Sequence, residues 1–71
     1  MPIITIQMDK GRSVQTKREV AAAVTDAIVN TLGGERKWVT ILFEDYERND
    51  WAIGGNLQLD RHGPLKPETY K

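Results

Sequence analysis

The chain has 71 residues, with ten basic and ten acidic side chains that cancel, no cysteine and one histidine. That excludes disulfides, thiolate metal sites, a Cys nucleophile and a His-based metal cluster, and nothing in the balanced charge points to nucleic acid or an anionic membrane as a partner. With no run of about 18 apolar residues and no signal-peptide pattern, a cytoplasmic protein without a membrane partner is the expectation.

A single domain over 1–71 of this size buries only about 60% of the surface its unfolded chain exposes. Small domains usually offset that deficit with disulfides, metals or other subunits. Here only the subunits remain.

Pro2–Met8 (PIITIQM) is β-branched-rich and reads as a strand, with Ile4, Ile6 and Met8 on one face and Ile3, Thr5 and Gln7 on the other. Gly11 breaks it and Ser13 is a good helix N-cap, although Thr16 replaces the Glu or Gln of a capping box. From Val14 to Leu32 the period becomes helical, with Val20, Val24, Ala27, Ile28 and Thr31 at three- and four-residue steps. Ala21, Ala22 and Ala23 widen the apolar arc enough for a second helix to approach. The helix, about 28 Å long, stops at Gly33–Gly34.

Lys37–Glu44 (KWVTILFE) is a second strand, apolar almost throughout, as a strand buried on both faces should be. Strand, helix, strand makes a β-α-β unit with parallel strands. Gly54–Gly55 then supply the turn of a short hairpin. Residues 60–71, with two prolines and little apolar content, read as an extended or flexible arm. The fold class is α/β, and two strands with one helix need further copies to cover their edges and open face.

Pro2 adds no N–H donor to the strand it opens. If Met1 is removed, its ring nitrogen is a free secondary amine. An α-amine titrates near about 7.7–8.0, a secondary amine is more basic, and an apolar wall or a nearby cation lowers the value. Such a group can accept and return a proton near neutral pH. The lone histidine, His62, sits in the arm and reads as a surface residue. Trp38 reads as packing.

Pro2 followed by Ile3, the Gly11-Arg12-Ser13 loop, one long helix, a second apolar strand and Trp51 before Ala52-Ile53-Gly54-Gly55 resemble the 4-oxalocrotonate tautomerase family. The resemblance runs ungapped from Pro2 to about Leu59. It implies a cofactor-independent tautomerase of a 2-hydroxy-dienoate or related 2-oxo acid enol, built as a homohexamer, a trimer of dimers. It further implies Pro2 as general base, Arg12 from a neighbouring subunit as carboxylate anchor, and Trp51 as pocket wall where phenylalanine is usual. Thr40 stands where the family has a second, substrate-binding arginine. That departure favours a monocarboxylate or aryl substrate, with Lys10, Arg36, Lys37 or Arg48 as candidate replacement cations.

Two alternatives stay open. Relatives that hydrate or dehalogenate unsaturated acids use a protonated proline as acid, with an acidic residue such as Glu44, Asp45 or Asp50 activating water. The absent arginine also fits a non-catalytic subunit that assembles with a paralogous chain.

Overall fold

The computed structural model describes residues 1–71. Strands β1 (Ile3–Asp9) and β2 (Thr40–Tyr46) pair in parallel, from Ile3 opposite Thr40 to Asp9 opposite Tyr46. The crossover is helix α1 (Val14–Leu32). Ser13 caps its start by accepting the Thr16 N–H at 3.1 Å, and the Gly33 N–H closes its last turn on the Val29 carbonyl at 3.0 Å. The helix covers one face of the sheet: Lys17 pairs with Asp45 at 2.5 Å and lies over the Phe43 ring.

The half-buried stripe of α1 holds Val20, Ala21, Val24, Thr25, Ile28 and Val29, whereas Ala27 and Thr31 face solvent. A sheet of two strands is too narrow to reach the arc on which those two residues sit. The second strand begins at Thr40, and Lys37 and Trp38, expected within it, belong instead to a 3-10 turn over Arg36–Trp38. The reason is that β1 offers no partner earlier: the Pro2 carbonyl, which accepts the Thr40 N–H at 3.0 Å, is the first rung. At its other end β2 runs past Glu44 to Tyr46, because the Lys10 N–H extends the ladder to the Tyr46 carbonyl at 2.9 Å. Only one face of β2 is covered in the single chain, and Leu42 stays 49% exposed on the other.

Strands β3 (Ala52–Ile53) and β4 (Asn56–Leu57) form the hairpin. Its two turn residues, Gly54 and Gly55, have φ of 61° and 84°, the double positive φ of a type I′ turn. A short helix α2 (Gln58–His62) follows, so Asp60–His62 are helical where an extended arm was expected. Leu59 N–H, bonded to the Arg48 carbonyl at 2.8 Å, ties this turn to the loop after β2. The arm proper, 63–71, doubles back to the start of α1, where the Lys71 carbonyl accepts the Ser13 N–H at 2.8 Å.

No apolar side chain is fully buried; the two buried residues are Asp9 and Gln58. The molecule is a slab of 43 × 26 × 14 Å with a radius of gyration of 15.0 Å, against about 11 Å for a compact chain of this length. Its open sheet face carries Ile3 and Leu42, and the hairpin carries Ile53 and Leu57, all exposed.

Candidate active site

The four residues singled out by sequence fall into two pairs. Pro2 and Thr40 sit together where the parallel strands begin. Arg12 and Trp51 sit where they end, next to Asp9. The seven residues of β1, at about 3.3 Å each, hold the pairs roughly 20 Å apart. One chain therefore does not join the amine to the cation.

Asp9, the last residue of β1, organises the far end. It is 7% exposed, and its carboxylate accepts from the Tyr70 hydroxyl at 2.5 Å and from Trp51 Nε1 at 3.3 Å. Arg48, partly buried, donates Nε and Nη2 to the same carboxylate at 3.4 and 3.3 Å. Burial alone would push the Asp9 carboxyl up; the Tyr70 and Trp51 hydrogen bonds and the Arg48 charge outweigh it, so the group titrates below its ordinary value. Arg48 also donates to the His62 and Gly63 carbonyls, at 3.2 and 2.9 Å, and so pins the base of the arm.

Arg12 is half-buried and forms no ion pair within the chain. One nitrogen, Nη1, donates to the Asp9 carbonyl at 3.0 Å, and the guanidinium lies over the Tyr70 ring at 3.9 Å from its centroid. A guanidinium has five N–H donors, so most of its in-plane edge remains for a carboxylate. A concavity of about 680 Å³ is lined by Gln7, Asp9, Tyr46, Trp51, the buried Gln58 and Tyr70; Arg12 does not line it and adjoins it only through Asp9 and Tyr70. The Gln58 Oε1 has no partner.

The four cations considered as replacements for the missing arginine are all engaged. Lys10 pairs with Glu47 at 2.9 Å, Lys37 with Glu35 at 3.3 Å, Arg36 with Asp26, and Arg48 with Asp9. Arg36 and Lys37, in the turn that leads into Thr40, are the ones at the Pro2 end. No cluster of three or more His, Asp or Glu side chains gathers into a metal site. No helix is long and apolar enough to cross a membrane.

Comparison with known proteins decides the family. The model of the tautomerase enzymes matches residues 2–61. The chain belongs to the tautomerase family. A probable tautomerase of Ralstonia nicotianae is 35% identical over 63 residues, 89% of this chain and 97% of the relative. The 2-hydroxymuconate tautomerase of Bacillus subtilis is 29% identical over 84% of this chain and 97% of its own length. Among solved structures, a 4-oxalocrotonate tautomerase isozyme from Methylibium petroleiphilum superposes with a TM-score of 0.80 at 33% identity, covering 84% of this chain and 94% of that one. This tautomerase is thus an isomerase of the 4-oxalocrotonate tautomerase type, with the β-α-β unit and hairpin of that fold.

Three residues of the Arg12 end were not singled out as a group: Asp9, Arg48 and Tyr70. Asp9 stands just past the predicted strand, Arg48 counted only among the candidate replacement cations, and Tyr70 lies in an arm of little apolar content. Their contacts span 39 to 61 positions of sequence, and no local period records them. The one available signal was the pair of prolines at 64 and 67, which stiffens the segment that delivers Tyr70.

Proposed function

We propose that this tautomerase ketonises the enol of a 2-oxo monocarboxylic acid without a cofactor, with Pro2, freed by removal of Met1, as general base. The amine removes the proton of the 2-hydroxyl group, electrons shift through the C=C bond, and the prolinium returns a proton to carbon. Arg12 of a neighbouring copy holds the carboxylate and stabilises the negative charge that builds on the adjacent oxygen. Trp51 walls the pocket. Thr40, beside Pro2, offers a hydroxyl where a second carboxylate would need a cation, so an apolar or aryl end suits the site better than a second acid group.

The observation that carries this reading is Arg12: a half-buried cation, fixed in place, with its charge unspent by any carboxylate of its own chain. The 20 Å gap of a single chain, by the strand rise of about 3.3 Å per residue, is closed by assembling copies, which would also cover the exposed Ile3 and Leu42. A homohexamer, as the resemblance implies, brings the two ends of different chains together.

The test is ultraviolet assay of phenylenolpyruvate and of 2-hydroxymuconate with protein whose mass proves Met1 absent. Phenylenolpyruvate should be the better substrate by kcat/KM. Pro2→Ala should lose at least about a hundredfold, the ordinary contribution of a positioned base. Full activity in Pro2→Ala would overturn the reading.

A further inference from the structure

The family match ends at residue 61, and the arm beyond it lies directly on the carboxylate anchor. We propose that Tyr70 is a positioning residue for Arg12: the arm is part of the substrate site, and its tyrosine sets the plane in which the guanidinium meets a carboxylate. The inference rests on the reading of Arg12 as anchor.

The geometry separates positioning from blocking. A ring stacked on a guanidinium occupies the face of the group, whereas a carboxylate binds the N–H edge in the same plane. Tyr70 takes the face at 3.9 Å, and the Asp9 carbonyl takes one N–H of Nη1 at 3.0 Å. Two constraints of this kind fix both the tilt and the rotation of the plane while most of the edge stays open. The ring itself is held at its other end, because its hydroxyl donates to the buried Asp9 carboxylate at 2.5 Å. Asp9 in turn accepts from Trp51 Nε1, so the cation and the aromatic wall are referred to one point. The arm's delivery of Tyr70 is fixed by Arg48 on the Gly63 carbonyl and by Ser13 on the Lys71 carbonyl, at 2.9 and 2.8 Å. An arginine in a loop would otherwise spend rotamer entropy on each carboxylate it bound.

Tyr70→Leu, which keeps apolar bulk but removes the ring face, and Tyr70→Phe, which keeps the face, separate the role from mere packing. With phenylenolpyruvate, Tyr70→Leu should raise KM about tenfold with kcat changed less than about threefold, the size of one lost stacking contact. Tyr70→Phe should restore KM to within about threefold of the parent. The Kd for benzoate, read by NMR titration of the unaltered protein and both variants, should follow KM. Unchanged KM and Kd in Tyr70→Leu would overturn the proposal, as would Tyr70→Phe behaving like Tyr70→Leu. Should Tyr70→Leu not fold, the Arg12 δ protons of the unaltered protein decide: an upfield ring-current shift is expected, and random-coil positions would overturn the stack. If Pro2→Ala proves fully active while benzoate binding still depends on Tyr70, the reading of Pro2 as general base fails and the positioning role stands. No benzoate binding by the unaltered protein would overturn both.

Discussion

In the proposed mechanism Pro2 works only as an amine whose proton is loosely held. The proposed assembled site would surround it with the indole of Trp51, which penalises charge, and the guanidinium of Arg12, which repels it. Both act in the same direction, so the amine should titrate between about 6 and 7, below the generic α-amine near 7.7–8.0. NMR of proline-labelled protein lacking Met1 measures this directly. A value near 9 or above would leave the amine protonated at neutral pH and move the role from base to acid. Thr40 gives a second residue-scale prediction. Thr40→Arg places a guanidinium beside Pro2, where the parallel ladder starts. It should lower KM for 2-hydroxymuconate by about tenfold or more and leave that for phenylenolpyruvate within about threefold, since only the dicarboxylate gains a charge-assisted pair. Steady-state kinetics on both substrates check it; equal effects on the two would show that Thr40 does not face the distal end.

At the scale of elements, the junction of β1, α2 and the arm is polar where most junctions are apolar. The Asp9–Arg48 pair is almost wholly enclosed, with side-chain exposures of 6% and 10%. Removing one partner strands the other, so Asp9→Ala should destabilise the fold by about 3 kcal/mol, measured by urea unfolding; a cost under about 0.5 kcal/mol would place the pair with ordinary surface ion pairs. The same carboxylate has a signature in pH. Its folded pKa lies below the ordinary 3.8, so its contribution is complete above the unfolded value and is lost as pH falls through the folded one. Stability should therefore decline on the acid side, below about pH 4, and Asp9→Asn should flatten that limb of the curve.

This junction is also where the sequence was least legible. Helix α1, with its serine cap and glycine stop, and the Gly54–Gly55 hairpin are written in local patterns, and both stand where those patterns put them. The extent of β2 depends instead on where β1 begins, a non-local fact, and so its limits shifted from 37–44 to 40–46. The Asp9–Tyr70 bond joins residues 61 apart by polar atoms, which carry no periodicity. Pro2 stood out as a possible free amine because a proline opens the strand, whereas Arg12 was singled out only through the family resemblance. Their separation was not legible, since it is a length of strand.

For the whole molecule, the absence of any buried apolar side chain is the governing fact. Burial of apolar surface is worth about 25 cal/mol per Å², and a slab one helix and one sheet thick wins little of it alone. The sheet face opposite α1 alternates Ile3 and Thr5 on β1 with Thr40 and Leu42 on β2, a surface apolar enough to bury yet without a single charge before Glu44. Stability and activity should then share one dependence on concentration if, as proposed, the contact that completes the fold is also the one that brings Arg12 to Pro2. The midpoint of thermal unfolding should rise with protein concentration, as linkage to assembly requires. Leu42→Lys places a charge in the middle of that face and should dissociate the particle, abolish cooperative unfolding at micromolar concentration and remove activity together. Sedimentation of the parent protein should give six chains of 8.1 kDa each, and that of the variant a single chain. A Leu42→Lys protein that stayed folded and active as a monomer would mean that Pro2 and Arg12 need not meet across copies, and the shared site would be lost with the assembly that motivates it.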